Sequence, residues 1–241
     1  KPFTGQDVTA LKEQLRNVEA VAPASSTSKT VIYGSESRTA TIVGTDNDYF
    51  TTQARELSRG RQFLNSELRG GQAVCLIGET VREELFGSLD PVGAKIRVDK
   101  ISCEVIGLLT VKGQSGFGQD QDDLVMMPIR TFQRRISGNS DVGRIYVSAS
   151  DKSYSAKVQS DIEWLLRERR KISANKDDDF AVADTQQIVA TQTATTTMLT
   201  ALLGAVAGVI AVVDELSAHE LGELVDQAEL GLQSAPAGIR T

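Results

Sequence analysis

Histidine is nearly missing from this chain: its 241 residues hold one, His219. Imidazole-based catalysis and a His-rich metal site therefore have almost no material to work with. Cysteine is scarce too, and Cys75 and Cys103 sit in separate apolar runs, QAVCLIG and ISCEVIG, rather than in a Cys-x-x-Cys pattern. Two readings stay open for them: buried free thiols packed as small apolar groups, or a disulfide if the two runs are neighbours in an oxidising compartment. Aromatic residues make up 5% of the chain, and it contains neither a Gly-x-Ser-x-Gly elbow nor a Gly-x-x-x-x-Gly-Lys-Ser/Thr phosphate loop. Gly113, Gly116 and Gly118 in KGQSGFGQD are expected to form a joining loop. No catalytic, cofactor-binding or metal-binding residue is assigned.

Excess basic charge is also lacking. The net charge is −6, and six of the 32 acids follow Ile210 against one base, Arg240, leaving residues 1–210 with 26 acids and 25 bases. A near-neutral body without a basic stripe argues against a nucleic-acid partner. Two acidic clusters, Asp120/Asp122/Asp123 and Asp177/Asp178/Asp179, lack the alternating ligand spacing and glycine turn of a calcium loop, so solvated loop charges are expected. The basic run Arg167, Arg169, Arg170, Lys171 ends a predicted helix, where positive charge complements the helix dipole without needing a partner.

What is present is ordinary globular material, 40% hydrophobic and 24% charged, enough to bury a core. Val8, Leu11 and Leu15 predict a short helix over Gln6–Asn17 behind an Asp7 cap region. Two extended runs, AVAPASSTSKTVIYG and SRTATIVGTD, flank the turn Gly34-Ser35. Near the other end, RIYVSAS predicts a strand, Tyr154, Val158, Ile162 and Leu165 predict one face of a helix from about Lys152 to Arg170, and FAVAD predicts a further strand. The two ends together predict an α+β layer, two helices over a four-stranded antiparallel sheet. The middle is expected to be mostly β, with one short helix, Glu79–Phe86.

From Met198 to Val213 the run MLTALLGAVAGVIAVV carries no charge, close to the length of a bilayer-spanning helix. The segment after it turns acidic and then loses periodicity in SAPAGIRT, so residues 214–241 receive no function. The opening Lys1-Pro2-Phe3-Thr4 lacks the apolar stretch that export requires, which leaves a cytosolic protein or a piece of a longer one. The apolar run favours the piece.

One ordered set of residues runs through the middle: Asp48-Tyr49-Phe50, Gly60-Arg61, Ala73-Val74, Ile77-Gly78, Leu85-Phe86-Gly87, Pro91-Val92-Gly93 and Val105-Ile106-Gly107. This order resembles the extracytoplasmic domain of MacB/FtsX-type ABC transporter permeases. Tyr49, Phe50, Gly60, Phe86, Gly87, Pro91, Gly93 and Gly107 are the structural motif residues that carry it. The resemblance implies a porter-like βαβ-type subdomain built from residues 1–45 and 126–190, with a mostly-β lobe, residues 46–125, inserted between them. Residues 191–213 would be a linker and the start of a transmembrane helix. The chain departs from the permeases beyond Val213, where they continue with a Gly-rich apolar segment and a basic stretch.

The resemblance further implies a non-catalytic domain of an inner-membrane transporter, facing the periplasm. Its partners would be a second permease copy, an ATP-binding module on another segment or chain and, in the efflux branch, a periplasmic adaptor. Attachment to the bilayer at both ends implies that Phe3 and the linker near Ile188 lie close together. Apart from the resemblance, Phe117 and Phe132 are surface aromatics that could contact a partner, although a single aromatic is more often packed beneath a loop than exposed for binding. The alternative is a soluble binding or scaffolding module in which the apolar run is a core helix.

Overall fold

The computed structural model describes residues 1–184, apart from Phe117 and Ala174. Helix α1, Gly5–Gln14, starts one residue earlier than its periodicity predicts, because Thr4 and not Asp7 caps it. Thr4 Oγ1 accepts from the Asp7 amide while Asp7 Oδ2 accepts from the Thr4 amide at 2.9 Å, so each satisfies an otherwise orphaned donor. Strand β1, Val18–Tyr33, and strand β2, Glu36–Thr45, form a hairpin across Gly34-Ser35, in register from Tyr33↔Glu36 to Ser25↔Gly44. Gly34 at φ 58° supplies the backbone that so short a loop requires.

The chain continues through α2 (Asp48–Thr52), β3 (Leu57–Gly60), α3 (Asn65–Gly70), β4 (Val74–Ile77) and α4 (Glu79–Phe86). Next come β5 (Lys95–Val98), β6 (Ile101–Leu109), β7 (Leu124–Pro128) and α5 (Ile129–Phe132), which runs directly into a π-helix, Gln133–Ser137. Strand β8, Arg144–Ala149, a 3-10 turn, Lys152–Tyr154, and α6, Ser155–Arg170, complete the order. Helix α4 has its expected bounds; α2 and α3 are additions too short to show a helical period.

The pairings close on themselves. β1 pairs with β2, β2 with β7, β7 with β4, β4 with β6, β6 with β5, and β5 with β1, forming a ring of six strands to which β3 adds along β6. Alternation along each strand fills two apolar cores. Ile42, Cys75, Ile77, Val105, Val125 and Met127 join α4 and Phe132 in one. Val43, Leu76, Ile106, Leu124 and Met126 join Phe50 and Phe63 in the other. Period-two patterning with both faces apolar is what a strand covered on two sides requires.

Strand β1 serves two neighbourhoods. Its second half belongs to the ring, and its first half, Val18–Ala24, pairs with β8 under α1 and α6. Val8, Leu11, Val21, Val158, Ile162, Leu165 and Leu166 bury there. Tyr154, expected on the same helical face, is 41% exposed, because it lies in the 3-10 turn ahead of α6 rather than in the helix. FAVAD forms no strand: Phe180 and Val182 pack as side chains against this third core, and residues 181–184 run without ladder pairing. Lys1–Val182 is one compact unit.

Candidate functional site

The motif residues lie at turns, ring contacts and close backbone approaches in and around the six-strand ring. Phe86 stacks on Tyr33 at 4.1 Å, Gly87 caps α4, and buried Pro91 opens the turn whose Gly93 amide donates to the Val105 carbonyl at 2.8 Å. Phe50 is buried in the second core, and Tyr49 meets Tyr146 of β8 edge to face at 5.7 Å. Gly60 and Gly107 are register partners. A Cβ on Gly60 would meet the Ile106 carbonyl oxygen at 2.2 Å, and Gly60 sits at φ +80°, so both space and backbone demand glycine.

Beside Gly60, Arg61 grips Glu67 with two bonds, at 2.7 and 2.8 Å, while the Leu64 amide donates to the same carboxylate at 2.7 Å. The Arg61 hydrogen bond, acting against burial, holds the Glu67 carboxyl below its ordinary range. A depressed carboxylate contributes stability above its unfolded pKa and loses it as pH falls through the folded value. Glu67→Gln is therefore expected to destabilise the protein at neutral pH, with the difference from wild type closing from about pH 4 downward; urea unfolding at several pH values measures it.

Asp177, Asp178 and Asp179 are exposed, as expected of solvated loop charges, but in the other acidic cluster one member is buried. Asp122 is 3% exposed and accepts from the Lys112 and Gly113 amides at 2.7 to 3.0 Å and from Arg55 at 3.3 Å. Arg55, itself buried, also donates to the Gln121 carbonyl at 2.6 Å, so one ion pair pins both stems of the loop that holds Gly113, Gly116 and Gly118. Asp123 pairs with Arg38 at 2.8 Å and Asp120 accepts from Thr80 at 2.7 Å. Among the described residues no cluster has the arrangement of a cation site. Phe132, expected as a surface aromatic, is 2% exposed against Gly44; Phe117 lies outside the described residues. Cys75 and Cys103 form a disulfide between neighbouring β4 and β6, with Cα atoms 5.9 Å apart.

The arginines that end α6 do have partners. Arg169 pairs with Asp7 at 3.1 Å, and Arg167 with Asp178 at 2.5 Å. Arg170 lies over the rings of Phe3, at 4.7 Å, and Phe180, at 5.5 Å, donates to the carbonyls of Lys1 and Pro2, and pairs with Asp179 at 2.6 Å. Phe3 also exchanges backbone bonds with Val142. The first residues of the domain and the chain leaving α6 are thus fastened at one pole through one buried guanidinium. Asp7, Phe3 and Phe180 supply the counter-charge and ring faces that a helix-dipole reading of the arginines leaves out. Ile188 lies outside the described residues.

This architecture has known counterparts. The model of the MacB-like periplasmic core domain matches residues 1–165. The chain belongs to that family.

Curated relatives are macrolide export ATP-binding/permease proteins MacB. The protein of Chlorobaculum tepidum is 32% identical over 193 residues, covering 80% of this chain and 30% of its own length. That of Chlorobium phaeobacteroides is 30% identical over 189 residues, covering 78% and 28%. The chain therefore spans under a third of these MacB proteins. Among solved structures, the periplasmic region of MacB from Actinobacillus actinomycetemcomitans superposes with a TM-score of 0.67 at 24% identity, over 78% of this chain and 82% of that one. The extracellular domain of the transporter YknZ from Gram-positive bacteria gives 0.62 at 21% identity, over 71% and 86%. Both show the same fold.

Proposed function

We propose that this MacB-like domain is the periplasmic lever of an ABC transporter permease in the inner membrane, tethered to the bilayer through both ends, and that it transmits ATP-driven motion to the export or efflux of a substrate. The observation that carries this reading is the Arg170 fastening, which brings Lys1–Phe3 and Asp179–Phe180 to one pole. A lobe pulled by two membrane helices has to move as one body, and a shared anchor at the roots of both provides that. The Cys75–Cys103 disulfide suits an oxidising compartment.

In this reading the two ends, residues 1–45 and 126–190, make the porter-like half around β1, β8, α1 and α6. Residues 46–125 would be the lobe inserted in it; the linker and start of a membrane helix assigned to residues 191–213 lie outside the described residues. A second permease copy, an ATP-binding module and a periplasmic adaptor complete the machine, with macrolides as the first substrate class to try, from the names of the relatives.

Arg170→Ala in the parent transporter is expected to leave ATP hydrolysis near wild type while cutting macrolide resistance of the host strongly. Equal losses of both would mark Arg170 as a folding residue and not a coupling one. If the wild-type transporter confers no macrolide resistance, the macrolide assignment fails.

A further inference from the structure

Strand β1 is paired along one side without interruption, from Ser25↔Gly44 to Tyr33↔Glu36 of β2. Its other side is filled only at the two ends. At the far end β5 pairs with Val31 and Ile32, and the Asp99 amide donates to the Thr30 carbonyl at 2.9 Å. At the near end Thr45, where β2 stops, donates to the Pro23 carbonyl at 2.7 Å, which puts Ala24 and its partner Arg144 of β8 on the opposite side.

Backbone groups alternate between the two sides of a strand, so those of Ser26 and Ser28 face the same side as Thr30. Both serines are exposed, and among the described residues no backbone group takes theirs up on that side. The gap spans Ser26–Lys29, about 13 Å of extended chain. An unpaired edge invites another strand unless proline, a bulge or a charge blunts it. None of these falls on Ser26–Ser28, and Lys29 pairs with Asp99 at 3.6 Å.

A hollow of about 860 Å³ lies along the gap, with Thr27, Lys29, Tyr146 and Arg144 among its walls, within the size of pockets that enclose a small ligand. β5 and β8 both run antiparallel to β1, so a strand laid between them in the same sense starts beside Asp99 and ends beside Arg144. Two exposed charges line that end, Arg144 and Asp141, and neither takes part in an ion pair among the described residues. A guanidinium holds a carboxylate through two parallel bonds, while Asp141 repels a peptide that is acidic throughout.

We propose that the gap in β1 receives the last residues of a partner protein as an added strand, with their terminal carboxylate held by Arg144. Main-chain bonds to Ser26 and Ser28 supply the affinity, and Arg144 fixes the register. This interaction goes beyond the lever reading and does not depend on how the domain is tethered.

The test selects from a random heptapeptide library displayed with free C-termini, using the full 241-residue chain in detergent, and measures the enriched peptides by fluorescence anisotropy. Amidation of their C-termini is expected to cost about tenfold in affinity or more, and Arg144→Glu as much. Ser28→Pro deletes an N–H that faces the gap and leaves the bonds to β2 in place, so it should abolish binding, whereas Ser28→Ala should bind as wild type. Equal affinity of the amidated peptides, or of Ser28→Pro, overturns the proposal. So does a selection that enriches nothing beyond what Arg144→Glu enriches. Should Ser28→Pro fail to fold, hydrogen exchange in wild type reads the same bonds: Ser26 and Ser28 amides that saturating peptide does not slow overturn the added strand.

Discussion

Asp122→Ala is expected to cost about 3–5 kcal/mol, the range for removing one partner of a buried ion pair. The substitution strands the Arg55 guanidinium, 7% exposed, and takes the acceptor from the amides of Lys112 and Gly113. Its neighbour gives the contrast. Asp123 pairs with Arg38 where each side chain is 24% exposed, so Asp123→Ala should cost no more than about 1 kcal/mol. Urea denaturation of the two variants measures both numbers. Equal losses would mean that the loop stems are held by something other than the buried pair. Because the pair fixes residues 112–122 to the segment after α2, limited proteolysis of Asp122→Ala should begin within that loop.

Opening the disulfide has the second large effect. Cys75 and Cys103 close a loop of sequence separation 28, and restoring that freedom to the unfolded chain lowers stability by about 3–4 kcal/mol. Both sulfur-bearing residues are at most 1% exposed, so the folded protein should resist reductant that opens the bond readily in urea. Cys75→Ala/Cys103→Ala removes the bond, with the loss of two buried sulfur atoms adding to the cost. A double variant as stable as wild type would show that the six-strand ring needs no covalent tie between β4 and β6.

Local features of this fold were legible where the signal is local. The β1–β2 hairpin follows from Gly34-Ser35 between two β-rich runs, and α4 is bounded in sequence by Gly78 and Gly87, which sit at its two ends in the structure. The ring was not legible. Its closure depends on the parallel pairings β2–β7 and β4–β6, which join residues far apart in the chain and leave no periodic trace. The motif glycines could be named, but that Gly60 lies against Gly107 is a fact of the register of β3 on β6.

The charged groups misled for the same reason. Asp122 and Asp123 are adjacent and identical in type, and only the folded loop turns one inward. Arg170 belongs to a basic run that a helix dipole explains well enough, until Phe3 and Phe180 close over it. Two aromatics flanking the domain at either end were the available hint.

A lever tethered through both ends requires those ends to meet outside the membrane, and a cysteine pair tests this directly. Lys1→Cys with Ala181→Cys in the parent transporter, treated on intact cells with a short, membrane-impermeant bifunctional maleimide, should give an intramolecular crosslink, since Cys75 and Cys103 are already bonded to each other. Failure to crosslink in cells, with labelling of either cysteine only after lysis, would contradict a tethered domain facing the periplasm.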